Sequence, residues 1–411
     1  MTEPTTATSS EPTETMNWSP WRTIVAFGFV SMAADMVYEG MRSISGPYLA
    51  SLGASAALVG LVTGAGEAMA LILRLFAGPL ADRTHRYWTI AIVGYGMTAV
   101  CVPLLAVAPL LGGAGLAVAS TLILLERTGK AIRSPSKSAL LALAAKDVGR
   151  GKGFGVHKAM DQVGAFAGPL IIAAAAALSG HLWLGLALMA IPGAVSMVLL
   201  FQTQSHATLV EDDAPSSGVH VKAAGRLPWR FHAFAAATSA GTGGLMTYGV
   251  IGFHLVDANL LAAAATPVVY AGAMAVAAVA ALATGFLYDR FHEKVLYALP
   301  VLVALVPALV FADALWPVLA GVAIWGAATG IQDSTVKALV ADLVARPRLG
   351  TAYGIFAAYQ GVAALLGGWA AGALHQDHRT ELVVGIGVAQ VLALILLLVA
   401  LVRRPEPDAA S

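Results

Sequence analysis

Twelve runs of mainly apolar residues, each long enough to cross a bilayer, leave this chain essentially one way to fold. A helix rises 1.5 Å per residue, so roughly 20 such residues cross about 30 Å of hydrocarbon. Runs of this kind fall at approximately 22–44, 56–80, 88–109, 114–141, 153–178, 182–202, 230–256, 266–288, 295–312, 316–341, 350–375 and 382–402. In lipid each backbone N–H and C=O must be satisfied within its own segment, so the runs are read as helices. The expected fold class is an all-α membrane protein with twelve transmembrane helices. Composition agrees: 58% of the 411 residues are hydrophobic and 11% charged, too few to give a water-soluble protein its polar surface. A net charge of +1 supplies no basic patch for nucleic acid. Cys101, the only cysteine, excludes an intrachain disulfide and a multi-cysteine metal site.

The distribution of Lys and Arg sets an expected orientation. With the N-terminus inside, the inner connections hold Arg83, Arg86, Lys146, Arg150, Lys152, Lys222, Arg226, Arg290, Lys294, Arg346 and Arg348, while the outer ones hold only Arg379. This asymmetry predicts a multi-pass protein of the cell inner (plasma) membrane with both termini cytoplasmic. Residues 1–20, rich in Thr, Ser, Glu and Pro without a basic and then apolar segment, read as a disordered cytoplasmic tail and not a signal peptide. The longest connection, 204–229, separates bundles at 21–203 and 230–403, and 404–411 form a second cytoplasmic tail.

The costly feature is charge inside the spans. An ionised side chain at bilayer depth costs roughly 2.5 to 3.5 kcal/mol on insertion scales, so such groups must face protein or a water-filled cavity. In the fourth span Glu126, Lys130, Arg133 and Lys137 fall within an arc of about 60° and Arg127 lies about 60° beyond its edge, at 100° per residue. Lys137 is far enough along to reach the surface by snorkelling. The first span places Asp35, Tyr38, Glu39 and Arg42 on one face, with Asp35 roughly 20 Å from the inner end. The second span adds Glu67 and Arg74, seven apart, and the fifth adds His157, Lys158 and Asp161. The other half offers softer groups: Tyr248, His254, Tyr270, Trp325, Gln332, Asp333, Lys337, Tyr359 and Gln360, an aromatic and amide wall. His157 and Asp161 alone are too few ligands for a metal site.

An internal repeat underlies the two halves. GPLADRTHRY at Gly78–Tyr87 returns as GFLYDRFHEK at Gly285–Lys294, each time between the second and third spans of its half. A fainter echo relates the stretch from Gly153 to that from Ala352, where Phe356, Ala357 and Gln360 replace His157, Lys158 and Asp161. Twelve spans, a six-plus-six duplication and the loop signature at Gly78, Leu80, Asp82, Arg83 and Arg86 resemble the major facilitator superfamily. Both copies of the loop depart from its pattern, with His85 and His292 where a glycine is usual. In the fifth span Gly164, Gly168 and Pro169 resemble the antiporter motif of that superfamily, without its trailing glycine pair at Ile172 and Ala173.

The resemblance implies two pseudo-symmetric six-helix bundles working by alternating access, with the first, second, fourth and fifth helices of a half at a central cavity. It makes Gly78, Asp82, Arg83, Arg86, Asp289 and Arg290 candidate gate residues, because an acid and a base held together can bond a neighbouring helix end in one state only. The chain shows no phosphate-binding loop and no His-Glu-x-x-His, so the expectation is a secondary transporter with no catalytic residue and no cofactor. The leading expectation is proton-coupled export of a small organic compound, with Asp35, Glu39 and Glu126 as coupling carboxylates. Tyr38, Arg42, Glu67, Arg127, Lys130, Arg133, Asp161, Gln332 and Tyr359 are the candidate substrate contacts. The alternative is uptake or exchange of an anionic metabolite recognised by the basic face of the fourth span. A non-transporting membrane scaffold is the third reading. Expected partners are a small-molecule substrate, protons and membrane lipid, around a monomer.

Overall fold

The computed structural model describes residues 18–207, 209, 227–336, 339–340, 343–344 and 348–401. Most of both expected tails, most of the central connection and Lys337 lie outside the described residues, as does the side chain of Asp289.

Twelve helical spans cross in alternating directions. They are α1 (Pro20–Ser51), α2 (Ala56–Ile72, continuing as Arg74–Thr84), α3 (Tyr87–Leu104), α4 (Gly115–Ala144), α5 (Arg150–Ser179), α6 (Leu182–Leu188, continuing as Ala190–His206), α7 (Trp229–Leu245, resuming as Tyr248–Asp257), α8 (Thr266–Phe291), α9 (Ala298–Val310), α10 (Leu315–Ile331, ending in a π turn at Gln332–Val336), α11 (Leu349–Leu374) and α12 (Arg379–Leu401). Ten unbroken helical stretches meet the length and apolarity of a membrane span. One of them, Tyr87–Ala144, holds α3 and α4, and α7 falls short only because it is broken in the middle. The chain is a multi-pass membrane protein.

The ends follow local chemistry. Ser19 caps α1 by accepting from Arg22 N at 3.3 Å, with Pro20 in the first turn, and Ser55 caps α2 in the same way. Three expected boundaries are corrected. The first helix runs on to Ser51; the third ends at Leu104, giving way to a 3₁₀ segment from Leu105 to Ala114; and the seventh breaks at Met246, whose φ of 48° ends its hydrogen-bond ladder. His85 and His292, standing where glycine was expected, both take a positive φ of 51°, which glycine adopts without strain; His85 is in the left-handed helical region and His292, with ψ −142°, is not. At His85 the departure from the loop pattern changes the residue and not the turn.

The halves differ in their cores. In α7–α12 one apolar cluster runs from Leu227 to Leu401. The first half has two, one around Val37, Tyr48 and Val59 and one around Ile24, Tyr87 and Leu140, and the charged residues lie between them. Gly164 and Gly168 seat α5 directly on α1: a Cβ at either would overlap the carbonyl oxygen of Met32 or Met36. Gly168→Val therefore should destabilise the protein by about 1–3 kcal/mol through overpacking. A melting temperature unchanged from wild type in detergent would refute this close seating.

Candidate functional site

A cavity of about 960 Å³ opens between the halves. Its walls are the stretches of α1, α2, α4, α5, α7, α8, α10 and α11 that run from mid-membrane to the face where α1 begins. At the opposite face the halves close. There Gly46 of α1 meets Gly249 and Phe253 of α7, Gly60 of α2 meets Gly368 of α11, and Ala56 meets Gly372. Thr63 and Thr247 share a hydrogen bond of 2.6 Å across that closed seam.

Three linked networks organise the charged wall. At the closed end Tyr270 of α8 donates to Glu39 at 2.5 Å and accepts from Arg42 at 3.2 Å, tying the second half to α1. Arg42 also pairs with Glu67 at 3.1 Å, and the same carboxylate oxygen lies 3.8 Å from Arg127. The ring of Tyr38 is held between two cations, with Lys130 Nζ 3.0 Å and Arg127 Cζ 4.3 Å from its centroid. Deeper in the first half, Arg133 pairs with Asp35 at 3.5 Å, stacks on Tyr95 and donates to Thr98 at 2.6 Å, while Thr98 donates to Glu126 at 3.1 Å. Nearer the open face Asp161 takes Lys137 at 3.8 Å and His157 at 3.6 Å.

Of the twelve candidate coupling and substrate-contact residues nine meet here: Asp35, Tyr38, Glu39, Arg42, Glu67, Lys130, Arg133, Asp161 and Gln332 line the cavity, together with Gly78 of the gate candidates. Three of the twelve do not. Glu126 is fully buried behind Arg133, Arg127 is buried against Tyr38 and Glu67, and Tyr359 turns toward His232, its neighbour Gln360 reaching the cavity instead. Lys137, expected to snorkel, lines the cavity and bonds Ser31 and Asp161. Of the gate candidates, Asp82 accepts from Tyr87 at 3.0 Å, while Arg83, Arg86 and Arg290 are exposed. Sequence reasoning missed Tyr95 and Thr98 on α3, which had looked inert because a tyrosine or threonine in an apolar span carries no charge signal. It also missed Thr63, Thr242 and Thr247.

One asymmetry stands out after pairing. Four carboxylates of the first half, Asp35, Glu39, Glu67 and Asp161, each have a cationic partner within 4 Å. Among the described residues Arg74, Lys130 and Lys158 line the same cavity and pair with no carboxylate. Arg74 Nε is moreover buried without a hydrogen-bond partner.

Two halves of like orientation around one cavity, open at one face and sealed at the other, are the architecture of a membrane transporter. A sequence profile of the Major Facilitator Superfamily matches residues 24–277 and 234–411, and the chain belongs to that family. It is 45% identical over 398 residues to an uncharacterized protein of Mycobacterium tuberculosis, covering 95% of each chain. Among solved structures it is similar to a mutant of a nucleoside transporter (TM-score 0.72, 12% identity, 92% of this chain and 100% of the other). It is also similar to a POT family transporter in complex with a thioalcohol-conjugated peptide (TM-score 0.73, 13% identity, 92% and 96%). These two likenesses speak for the fold alone. The chain is a secondary transporter of the superfamily's fold, twelve helices in two six-helix bundles.

Proposed function

We propose that this transporter moves a solute bearing an anionic group, a carboxylate or phosphate, held by Lys130 and Arg74 at mid-cavity and drawn in by Lys158 at the open mouth. The observation that carries this is the pairing pattern: the acids that line the cavity from the first half each have a cation within 4 Å, and Arg74, Lys130 and Lys158 of that half have no carboxylate within the same distance. A solute cation would meet no free carboxylate among them. An anion would satisfy Arg74 Nε, a buried donor without a hydrogen-bond partner.

Proton coupling fits Asp35 and Glu39, which touch the cavity and share their cations Arg133 and Arg42 with other partners. Protonating either releases its arginine for the anion, so one proton and one solute charge load together. Glu126, buried away from the cavity, is better suited to holding Arg133 in place through Thr98. The Gly164 and Gly168 pair is accounted for by packing, so it supports no direction of transport. Export, the leading expectation from the sequence, becomes the second reading. With both termini cytoplasmic, as the Lys and Arg distribution suggests, the cavity opens inward and is ready to load from the cytoplasm.

The test is a thermal-shift screen of purified protein against aliphatic and aromatic carboxylates, organic phosphates and lipophilic cations. Anions should stabilise it and cations should not. Lys130→Ala should weaken anion binding by about 10- to 100-fold, the range for one lost charge-assisted hydrogen bond. Stabilisation by cations alone, or anion affinity indifferent to Lys130→Ala, would sink the proposal.

A further inference from the structure

Opposite the charged wall, the second half presents a chain of neutral hydrogen bonds that runs back to the α7 backbone. Thr238 of α7 donates to the carbonyl of Phe234 at 2.9 Å, so its oxygen is left to accept, and Gln360 Nε2 donates to it at 3.4 Å. Gln360 Oε1 must then accept, and it receives Thr242 Oγ1 and Gln332 Nε2, the latter at 3.1 Å. Gln332 Nε2 donates to Thr242 Oγ1 as well. Each donor is consumed by the next acceptor back to the α7 backbone, so neither amide can flip alone without opposing two donors or two acceptors. The chain ends on Gln332 Oε1, an acceptor with no partner among the described residues, on a side chain that lines the cavity.

The backbone is irregular on both sides of this point. Gln332 opens the π turn that ends α10, and α7 is broken just past Thr242, where Trp325 Nε1 caps the freed carbonyl of Leu245 at 2.9 Å. π turns are inserted mostly where a side chain must be aimed at a function, since they sacrifice regular hydrogen bonding. A core serving packing alone would place apolar residues here.

We propose that Gln332 Oε1 is a second subsite of the same cavity, accepting a hydrogen bond from a neutral N–H or O–H of the solute. The inference rests on the anion reading above and narrows it. The solute is then an organic anion carrying a neutral donor such as an amide or hydroxyl at the end away from its charge, and simple inorganic anions fill only half the site. Trp325, Tyr353 and Phe356 line the cavity beside the subsite and suit the carbon body between the two polar ends.

The experiment compares the monoamides of succinic, glutaric, adipic and suberic acid with their monomethyl esters. Each pair shares a carboxylate and a carbonyl and differs in the N–H. Binding is read by thermal shift of the full-length protein in detergent. At one chain length at least, the amide is expected to bind about five- to tenfold tighter than the ester, the value of one neutral hydrogen bond. Gln332→Leu should erase that difference, with a cooperative melting transition in the absence of ligand reporting that the variant is folded. Lys130→Ala should weaken amide and ester alike. Equal binding of amide and ester at every length, or an amide advantage that survives Gln332→Leu, overturns the donor subsite alone. No stabilisation by either series overturns the anion reading and the subsite with it.

Discussion

Gly46→Val should hold the sealed face of this transporter partly open. Gly46 lies where α1 crosses α7, and a Cβ there would overlap the carbonyl oxygen of Gly249, with Phe253 N 2.9 Å away. Those are backbone atoms of a packed helix, so no side chain can turn aside to make room. Overpacking of this kind costs about 1–3 kcal/mol. Here the cost falls only on the state in which the two helices touch, so it moves the open-to-closed ratio by about 5- to 150-fold. A reporter is available. Thr63 is buried in the seam against Thr247, and Cys101, the native cysteine, is buried and replaceable. In a Cys101→Ala, Thr63→Cys background, a membrane-impermeant maleimide should label the closed protein slowly and the Gly46→Val protein faster by a similar factor. Gly60→Val, which faces Gly368 at a separate point of the seam, should do the same. Equal labelling rates in folded variants would show that this seam is not the one that opens.

Much of the architecture was legible because the bilayer allows so few alternatives. Apolar runs of fixed length, a repeated loop motif and a long connection near the middle left one fold in view, and most helix boundaries lie within a few residues of expectation, the ends of the first and third helices and the break in the seventh excepted. The charged face of α4 was legible for the same reason: helical geometry alone puts Lys130, Arg133 and Lys137 on one side. Their partners were not. Whether Arg133 meets Asp35 or Glu126 depends on how α1 and α3 are rotated and how deep each sits, and periodicity within one helix carries neither quantity. Glu126 shows the difficulty, since it shares the face of Lys130 by angle yet is screened from the cavity by Arg133 and by Thr98 of the neighbouring helix. Breaks are harder still. Nothing in Gly-Gly-Leu-Met-Thr around Met246 distinguishes a broken helix from a continuous one, yet that break and the π turn at Gln332 shape the polar side of the site. The hidden turn at His85 taught the converse: a residue type that departs from the motif can keep its backbone.

Glu67→Gln tests whether the closed end of the cavity is held by charge. One oxygen of Glu67 serves Arg42 at 3.1 Å and Arg127 at 3.8 Å, and Arg127 is nearly sealed from solvent, with Nε and Nη1 lacking hydrogen-bond partners. Removing one member of a fully buried pair costs about 3–5 kcal/mol because the survivor is left uncompensated. The Glu67 side chain is 23% exposed, which allows some relief by water, so a loss of about 2–3 kcal/mol is the expected result. Adding Arg127→Gln should recover part of that loss, since the two residues share one network and their effects cannot add. The same substitution should act oppositely on ligand. With Glu67 neutral, Arg42 keeps only Glu39 and Arg127 only Glu126, so the positive charge around Arg74 and Lys130 is less compensated and a carboxylate probe should bind more tightly to the less stable protein. Melting temperature without ligand and thermal shift with ligand therefore move in opposite directions. A variant that loses stability and anion affinity together would mean that Glu67 positions the site without setting its charge, and the electrostatic account of this cavity would be wrong.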